Sequence, residues 1–225
     1  MFIGHYGVGL AGKAIDTRPS LGTMFLAAQW LDLLWPVFVL AGLEKFSIVP
    51  GNTVLTPLRF DYYPWSHSML MAINWGVLLA IIYFISTKNA RGGILIGFLV
   101  FSHWLLDWFV HAADLQLTPF SQTRVGLELW NYKWPEIILE SLIFVAGAVI
   151  YLKRTSAKNK TGKWVVWALF IFLVVVHFMN TFGPPPTDIQ MVAWVGLSQW
   201  LLVAWGYWVD RNRSSSLQPL HSKPL

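Results

Sequence analysis

His103, Asp107 and His111 lie four residues apart in an apolar stretch, and Asp114 follows eleven residues after His103. On an α-helix a spacing of four places side chains on one face, and eleven residues make about three turns, so the four residues are predicted to form one stripe. Ionisable side chains on a membrane-type helix are costly unless they bind a partner. Because imidazole and carboxylate are ligands of zinc-like ions, the stripe predicts a metal site. A structural polar network or a proton path between helices is the alternative.

Further side chains could complete this site. Asp32 is a carboxylate in the middle of an apolar stretch, where it needs a cation or a proton. His67 follows Ser66, a plausible helix N-cap that would favour an anion such as phosphate, and Asp61 is either a ligand or a loop residue. His5 lies in a short glycine-containing segment and reaches the site only if that segment re-enters the membrane.

The composition limits the chemistry of the site and the class of protein. The chain has 225 residues, of which 56% are hydrophobic and 12% charged, and its mean hydropathy is +0.53. A soluble domain carries about twice that charged fraction, so the sequence predicts a membrane protein. Since there is no cysteine, a metal must be held by His, carboxylate, Asn, water or backbone. The predicted ligands are His67, His103, Asp107, Asp32 and His5.

Apolar stretches long enough to cross a bilayer predict an all-α bundle of about six transmembrane helices. Residues 2–12 are too short to span and predict an interfacial or re-entrant segment, and Pro36 predicts a kink in the first span. We expect a single transmembrane domain over residues 1–209 and a disordered tail over residues 210–225. The predicted spans cover residues 21–43, 66–86, 93–112, 134–152, 164–182 and 189–209.

The Lys and Arg residues predict the orientation of this bundle. With six spans, twelve of them fall on the side of both termini and four on the other side. The positive-inside rule therefore predicts that both termini of this integral membrane protein lie in the cytoplasm. The net charge of +5 is explained by this orientation and does not indicate a nucleic-acid partner. Ionisable residues within the spans then fall between the midplane and the outer surface, which predicts one polar cavity open to the outside; besides the ligands they include Glu136, Glu140 and His177.

Several motifs occur in a recognisable order over residues 1–130. They are His5-Tyr6-Gly7-Val8-Gly9, Leu31-Asp32, Trp65-Ser66-His67-Ser68, Ser102-His103 with Asp107, Thr118-Pro119 and Leu129-Trp130. Their order resembles the family of membrane-bound metal-dependent hydrolases, the LexA-binding, inner-membrane-associated group. This sequence departs from the family's Asp-x-Asp-His pattern, which is reduced here to the single Asp32, followed by Leu33 and Leu34. The family's Arg before the His-Ser pair is also absent, and His111 and Asp114 are additions.

The resemblance implies an integral metal-dependent hydrolase of a bacterial-type inner membrane, with a divalent ion, most simply zinc. Asp32, His111 or Asp114 would be the general base, and a site in the outer leaflet suits a lipid or lipid-linked phosphoester or ester. Two other functions use the same polar residues. The first is a metal-ion or proton transporter, although the charges stop at the midplane. The second is a non-enzymatic membrane scaffold whose polar cluster is structural.

Overall fold

Helices account for most of residues 1–215, the part of the chain that this computed structural model describes. The α-helices are α1 (Ile3–Ala11), α2 (Leu21–Ala28), α3 (Trp30–Leu40), α4 (Pro64–His67), α5 (Met69–Thr87), α6 (Ala90–Val110), α7 (Lys133–Arg154), α8 (Lys160–Phe182), α9 (Ile189–Leu197) and α10 (Gln199–Arg211). The strands form antiparallel pairs in the loops: β1 (Lys45–Ile48) with β2 (Leu58–Tyr62), β3 (Leu115–Gln116) with β4 (Arg124–Val125), and β5 (Thr155–Ala157) with β6 (Arg213–Ser215).

The long apolar helices confirm the predicted bundle of about six spans. Helices α5, α6, α7 and α8 and the α9–α10 pair are each long and apolar enough to cross a membrane, and α2 with α3 makes a sixth span if the bent pair is counted as one. The bend of 57° falls at Gln29, between α2 and α3, whereas the predicted kink residue Pro36 lies inside α3. The break leaves the carbonyl of Ala28 free of a helical partner, and His103 contacts it.

Loops predicted to share the cytoplasmic side meet at one end of the helices, which we call the basic end. Asn89 donates a hydrogen bond to Asp16 at 2.8 Å, and the Lys13 ammonium contacts Asp210 at 3.0 Å. Which membrane face this end occupies stays a prediction. The predicted disordered tail was wrong for residues 210–215, because Arg213 is buried and its guanidinium donates to oxygens of residues 155 and 162, pairing β6 with β5. The rest of that tail lies outside the described residues.

The N-terminal segment, predicted to be interfacial or re-entrant, forms helix α1, whose position fits the re-entrant alternative. Nine residues of helix rise about 14 Å, roughly half of a bilayer core, and α1 runs from the middle of the bundle to the basic end. The cytoplasmic position of both termini stays a prediction, and Met1 itself lies buried inside the bundle, away from the basic end. The reason is that the first backbone N–H groups of a helix need acceptors, and the Glu140 carboxylate accepts from Phe2 and Gly4 at 2.9–3.1 Å.

A close glycine contact holds α1 against α7. A Cβ built on Gly147 would come 2.0 Å from the Gly7 carbonyl oxygen, and a Cβ on Gly7 would come 2.7 Å from the carbonyl oxygen of Ile143. Small residues at such crossings let helix backbones approach closely within a membrane. This contact fixes the position of α1 along α7, and therefore the depth at which His5 lies in the bundle.

We expect Gly147→Leu to destabilise the protein by at least about 1–3 kcal/mol, because the added side chain must push α1 away from α7. Ala146→Leu, on the exposed face of the same helix, is the matched control and is expected to have little effect. Thermal unfolding of both variants in detergent tests this prediction. Equal melting temperatures for the two variants would contradict it.

Glu44 predicts a pH dependence of stability. Burial raises the pKa of the Glu44 carboxyl to about 7, against the opposing effect of hydrogen bonds from the Ser66 N–H and hydroxyl. The folded protein therefore binds this proton more tightly than the unfolded chain, whose carboxyl has an ordinary pKa of 4.5. The free energy of unfolding should fall as pH rises from about 5 to 7, by at most about 3 kcal/mol.

Glu44→Gln removes this titration without changing the size of the side chain. The melting temperature of the wild type, relative to that of the variant, should fall between pH 5 and pH 8. A difference that stays constant over this range would contradict the prediction.

Candidate metal centre

Asp107 on α6 is a buried carboxylate in the middle of the bundle, and each of its oxygens faces nitrogen atoms. Its Oδ1 accepts a hydrogen bond from the Met1 amino group at 2.8 Å and contacts His5 Nε2 at 3.1 Å. Its Oδ2 lies 3.1 Å from His103 Nε2, one helical turn earlier. The rings of His5 and His103 stack with their centroids 3.6 Å apart. The re-entrant helix and α6 thus bring their histidines to one carboxylate.

A second carboxylate, Asp32 on α3, faces the same group. His67 Nε2 lies 3.4 Å from Asp32 Oδ1 and 3.8 Å from Asp107 Oδ2. His103 Nε2 lies 3.7 Å from Asp32 Oδ1. The side chain of Asp32 is 25% exposed, so this carboxylate can be reached from solvent or from a ligand.

Three histidines share one orientation, in which Nδ1 contacts a partner away from Asp107 and Nε2 faces the Asp107 carboxylate. The partners of Nδ1 are the Ala28 carbonyl for His103 at 2.7 Å, Ser66 Oγ for His67 at 2.7 Å, and Asp114 Oδ1 for His111 at 3.0 Å. Since the Ala28 carbonyl and the Asp114 carboxylate accept hydrogen bonds, Nδ1 carries the proton in His103 and His111. Ser66 donates its hydroxyl hydrogen to Glu44, so it too accepts from His67. Such partners are typical of metal-ligating histidines.

The consequence is that unprotonated Nε2 atoms face carboxylate oxygens. His103 Nε2 is buried and has no hydrogen-bond partner among the described residues, although Asp107 Oδ2 is 3.1 Å away. Two lone pairs at this distance repel unless a proton or a metal cation lies between them. The nitrogen and oxygen atoms of two groups lie within 4.8 Å of one another, as ligands of one ion require: His5, His103 and Asp107, and Asp32, His67 and His103. This donor set fits zinc.

His111 and Asp114 join the site, but not as the predicted helical stripe. Helix α6 ends at Val110, and the extended backbone of His111 leads into a turn that returns Asp114 to His111. The Tyr63 hydroxyl donates to Asp114 Oδ1 at 2.6 Å, and Trp130 packs against the His111 ring. His111 Nε2 lies 3.9 Å from Asp107 Oδ2.

A cavity of about 750 Å³ opens onto this centre. Its polar lining contains most of the polar residues predicted to lie within the spans, namely Asp32, His67, Asp107, His111, Glu136, Glu140, His177 and Asn180. His103 and His5 are not among the described residues that line it, and its opening to the outside stays a prediction. Its apolar lining comes from α3, α9, the β1–β2 loop and the end of α8, and includes Trp35, Leu55, Phe60, Met179, Met191, Val192 and Val195. The cavity lining is therefore partly polar and partly apolar.

The structure brings all five predicted ligands together and places both additional candidates beside them. Asp61 does not take part, because its carboxylate contacts Arg59 at 2.9 Å in the β2 strand. Ser66 is not an N-cap, since it lies within α4 and donates to Glu44, while Ser68 caps α5. The sequence reasoning missed the orienting role of Tyr63, although Tyr63 stands in the aromatic run that leads to His67.

Comparison with known proteins identifies the family of the chain. The model of the YdjM inner membrane protein family matches residues 64–183, from α4 to the end of α8. The match extends beyond the resemblance expected over residues 1–130 and leaves His5 and Asp32 outside it. No curated protein and no solved structure matches the chain. Because the match covers more than half of the sequence, this integral inner membrane protein belongs to the YdjM inner membrane protein family.

Proposed function

We propose that the protein is a metal-dependent hydrolase acting on a lipid or lipid-linked phosphoester or ester in the outer leaflet. The observation that carries this proposal is the set of three histidines that present unprotonated Nε2 atoms to a buried carboxylate. In hydrocarbon such an arrangement is costly without a cation. Its position in a cavity whose lining is partly polar and partly apolar supports an amphiphilic substrate.

His67, His103, Asp107 and Asp32 would hold the ion, with His5 as a further ligand. A bound zinc ion lowers the pKa of a coordinated water and polarises a phosphoryl or acyl oxygen. The protein contributes the orientation of the ligands through the contacts at Nδ1. Buried apolar residues also separate the centre from the basic end. Among them are Met24 and Leu95, which pack at Gly12.

His111 is the best-placed general base. Asp114 accepts from its Nδ1–H, which leaves Nε2 unprotonated, and His111 lines the cavity. In the proposed reaction Nε2 takes a proton from water as the water oxygen bonds to the phosphorus or acyl carbon of the substrate. The ester bond to the leaving oxygen breaks, and His111 returns the proton to that oxygen. Tyr63 holds Asp114 in place through its hydroxyl.

The metal content of the purified protein tests the centre. Wild-type protein in detergent should hold roughly one zinc-like ion per chain, and His103→Ala and Asp107→Asn should hold almost none, because each variant loses a ligand. Asp61→Asn, the same change outside the site, is the matched control and should keep the ion. Measurement is by elemental mass spectrometry. Folded wild type without a stoichiometric ion would overturn the proposal, and zinc flux into liposomes without lipid hydrolysis would favour a transporter.

His111→Gln and Asp114→Asn separate catalysis from metal binding. We expect both variants to retain the ion while hydrolysis of lipid phosphoesters falls by about 10²–10⁴-fold for His111→Gln, the usual contribution of a general base. Unchanged rates in both variants would remove His111 from the mechanism.

A further inference from the structure

A second polar cluster lies in the same cavity, apart from the metal centre. It consists of Glu136, Glu140, His177 and Asn180, from α7 and α8, and we call it the Glu136 cluster. Both glutamates and His177 are less than 5% exposed. Glu140 is occupied by the backbone N–H groups that open α1. Glu136, one helical turn earlier, lies within hydrogen-bond distance of Glu140 and lines the cavity.

The charge of the cavity favours a cation at this cluster. Among the described residues, the lining holds four carboxylates, from Asp32, Asp107, Glu136 and Glu140, and no Lys or Arg. A single divalent ion at Asp107 neutralises two of these charges, and the Met1 amino group compensates one more. Uncompensated charge at membrane depth is costly, so the contacting pair Glu136 and Glu140 either shares a proton or binds a cation in its place.

His177 independently indicates that the cluster receives a hydrogen-bond donor. Its Nδ1 lies 4.0 Å from Glu140 Oε2, and its Nε2 is buried without a hydrogen-bond partner in the part of the chain that the structure describes. A buried unpaired imidazole nitrogen costs free energy until it gains a partner. A ligand that carries N–H donors would satisfy His177 Nε2 and Glu136 together.

A metal ion fits this cluster less well than an organic cation. In the described residues, the two sets of side chains whose donor atoms come within 4.8 Å of one another lie at Asp107 and His103, and neither contains a member of the Glu136 cluster. More widely spaced acceptors suit a primary ammonium, which carries three N–H donors. A quaternary ammonium has none and is normally held by an aromatic cage.

We propose that the Glu136 cluster binds the primary ammonium of a lipid headgroup whose phosphate lies at the metal centre. The proposal rests on the hydrolase function and names its substrate class, an aminophospholipid. The two sites are close enough for one headgroup, because Met1 contacts Asp107 and the next residue, Phe2, contacts Glu140. The apolar lining of the cavity would accept the acyl chains.

Lipid binding tests the proposal without relying on activity. Native mass spectrometry of the detergent-purified protein, with and without zinc, would measure the affinity for short-chain phosphatidylethanolamine, phosphatidylcholine and phosphatidylglycerol. We expect phosphatidylethanolamine to bind roughly tenfold more tightly than the other two, the effect of one charge-assisted hydrogen bond. Glu136→Gln should abolish this preference and keep the metal content. Glu128→Gln, an exposed residue outside the cavity, is the matched control.

Each outcome decides the question. Equal affinity for the three lipids, or a preference that survives in Glu136→Gln, would overturn the ammonium site. A metal content that falls in Glu136→Gln would assign the cluster to a second ion and also overturn it. Glycerophosphoethanolamine binding as tightly as the intact lipid would support the ammonium site but assign it to a soluble headgroup. Failure of the hydrolase function alone would leave the preference in place while hydrolysis is absent.

Discussion

The structure depends on keeping the carboxylate of Asp107 buried at membrane depth. Five nitrogen atoms surround its two oxygens within 4 Å, from Met1 and four histidines on three segments of the chain, around α1, α4 and α6. An isolated carboxylate in this environment would be protonated or would move out to water. The contacts with nitrogen atoms stabilise it in the bundle, and they form only when the surrounding helices adopt this arrangement. The position of α6 relative to α1 and α3 follows from this requirement.

The re-entrant helix α1 is the element that makes the centre possible. A short helix that ends inside a membrane exposes backbone N–H groups, and Glu140 accepts from them. The glycine contact with α7 sets the depth of α1, and α1 then supplies His5. The buried carboxylate of Glu140 on α7 thus supports the position of His5, a candidate metal ligand on α1. Helix packing and site geometry are therefore coupled within this pair of helices.

The cavity relates the centre to the membrane. Its lining combines polar residues of α3, α4, α6, α7 and α8 with apolar residues of α3, α9 and the β1–β2 loop. An amphiphilic ligand matches this mixed lining better than a small polar ligand does, because its polar part would contact the polar residues and its apolar part the apolar residues. In the proposed function the two polar clusters would bind the phosphate and the ammonium of one headgroup, and the apolar lining would contact its chains.

The sequence alone determined the class of fold and most of the residues of the site. Length and hydropathy predict the spans, because a bilayer needs about 20 apolar residues per helix. The cost of charge in hydrocarbon singled out Asp32, His67, His103 and Asp107 without any knowledge of their contacts. Helical periodicity placed Asp107 and His103 on one face correctly, but it failed for Asp114, since α6 ends before that residue.

Only the tertiary structure decided which of these residues meet. His5 and Asp107 are separated by about a hundred residues, and no local pattern predicts that α1 turns into the bundle. His103 is oriented by the Ala28 carbonyl, a backbone group at a helix break. His67 is oriented by Ser66, which is itself held by Glu44, a residue distant in the sequence. The physical reason is that hydropathy and periodicity predict the environment of a residue and the helix face on which it lies. Which other residue it contacts depends on how the helices pack.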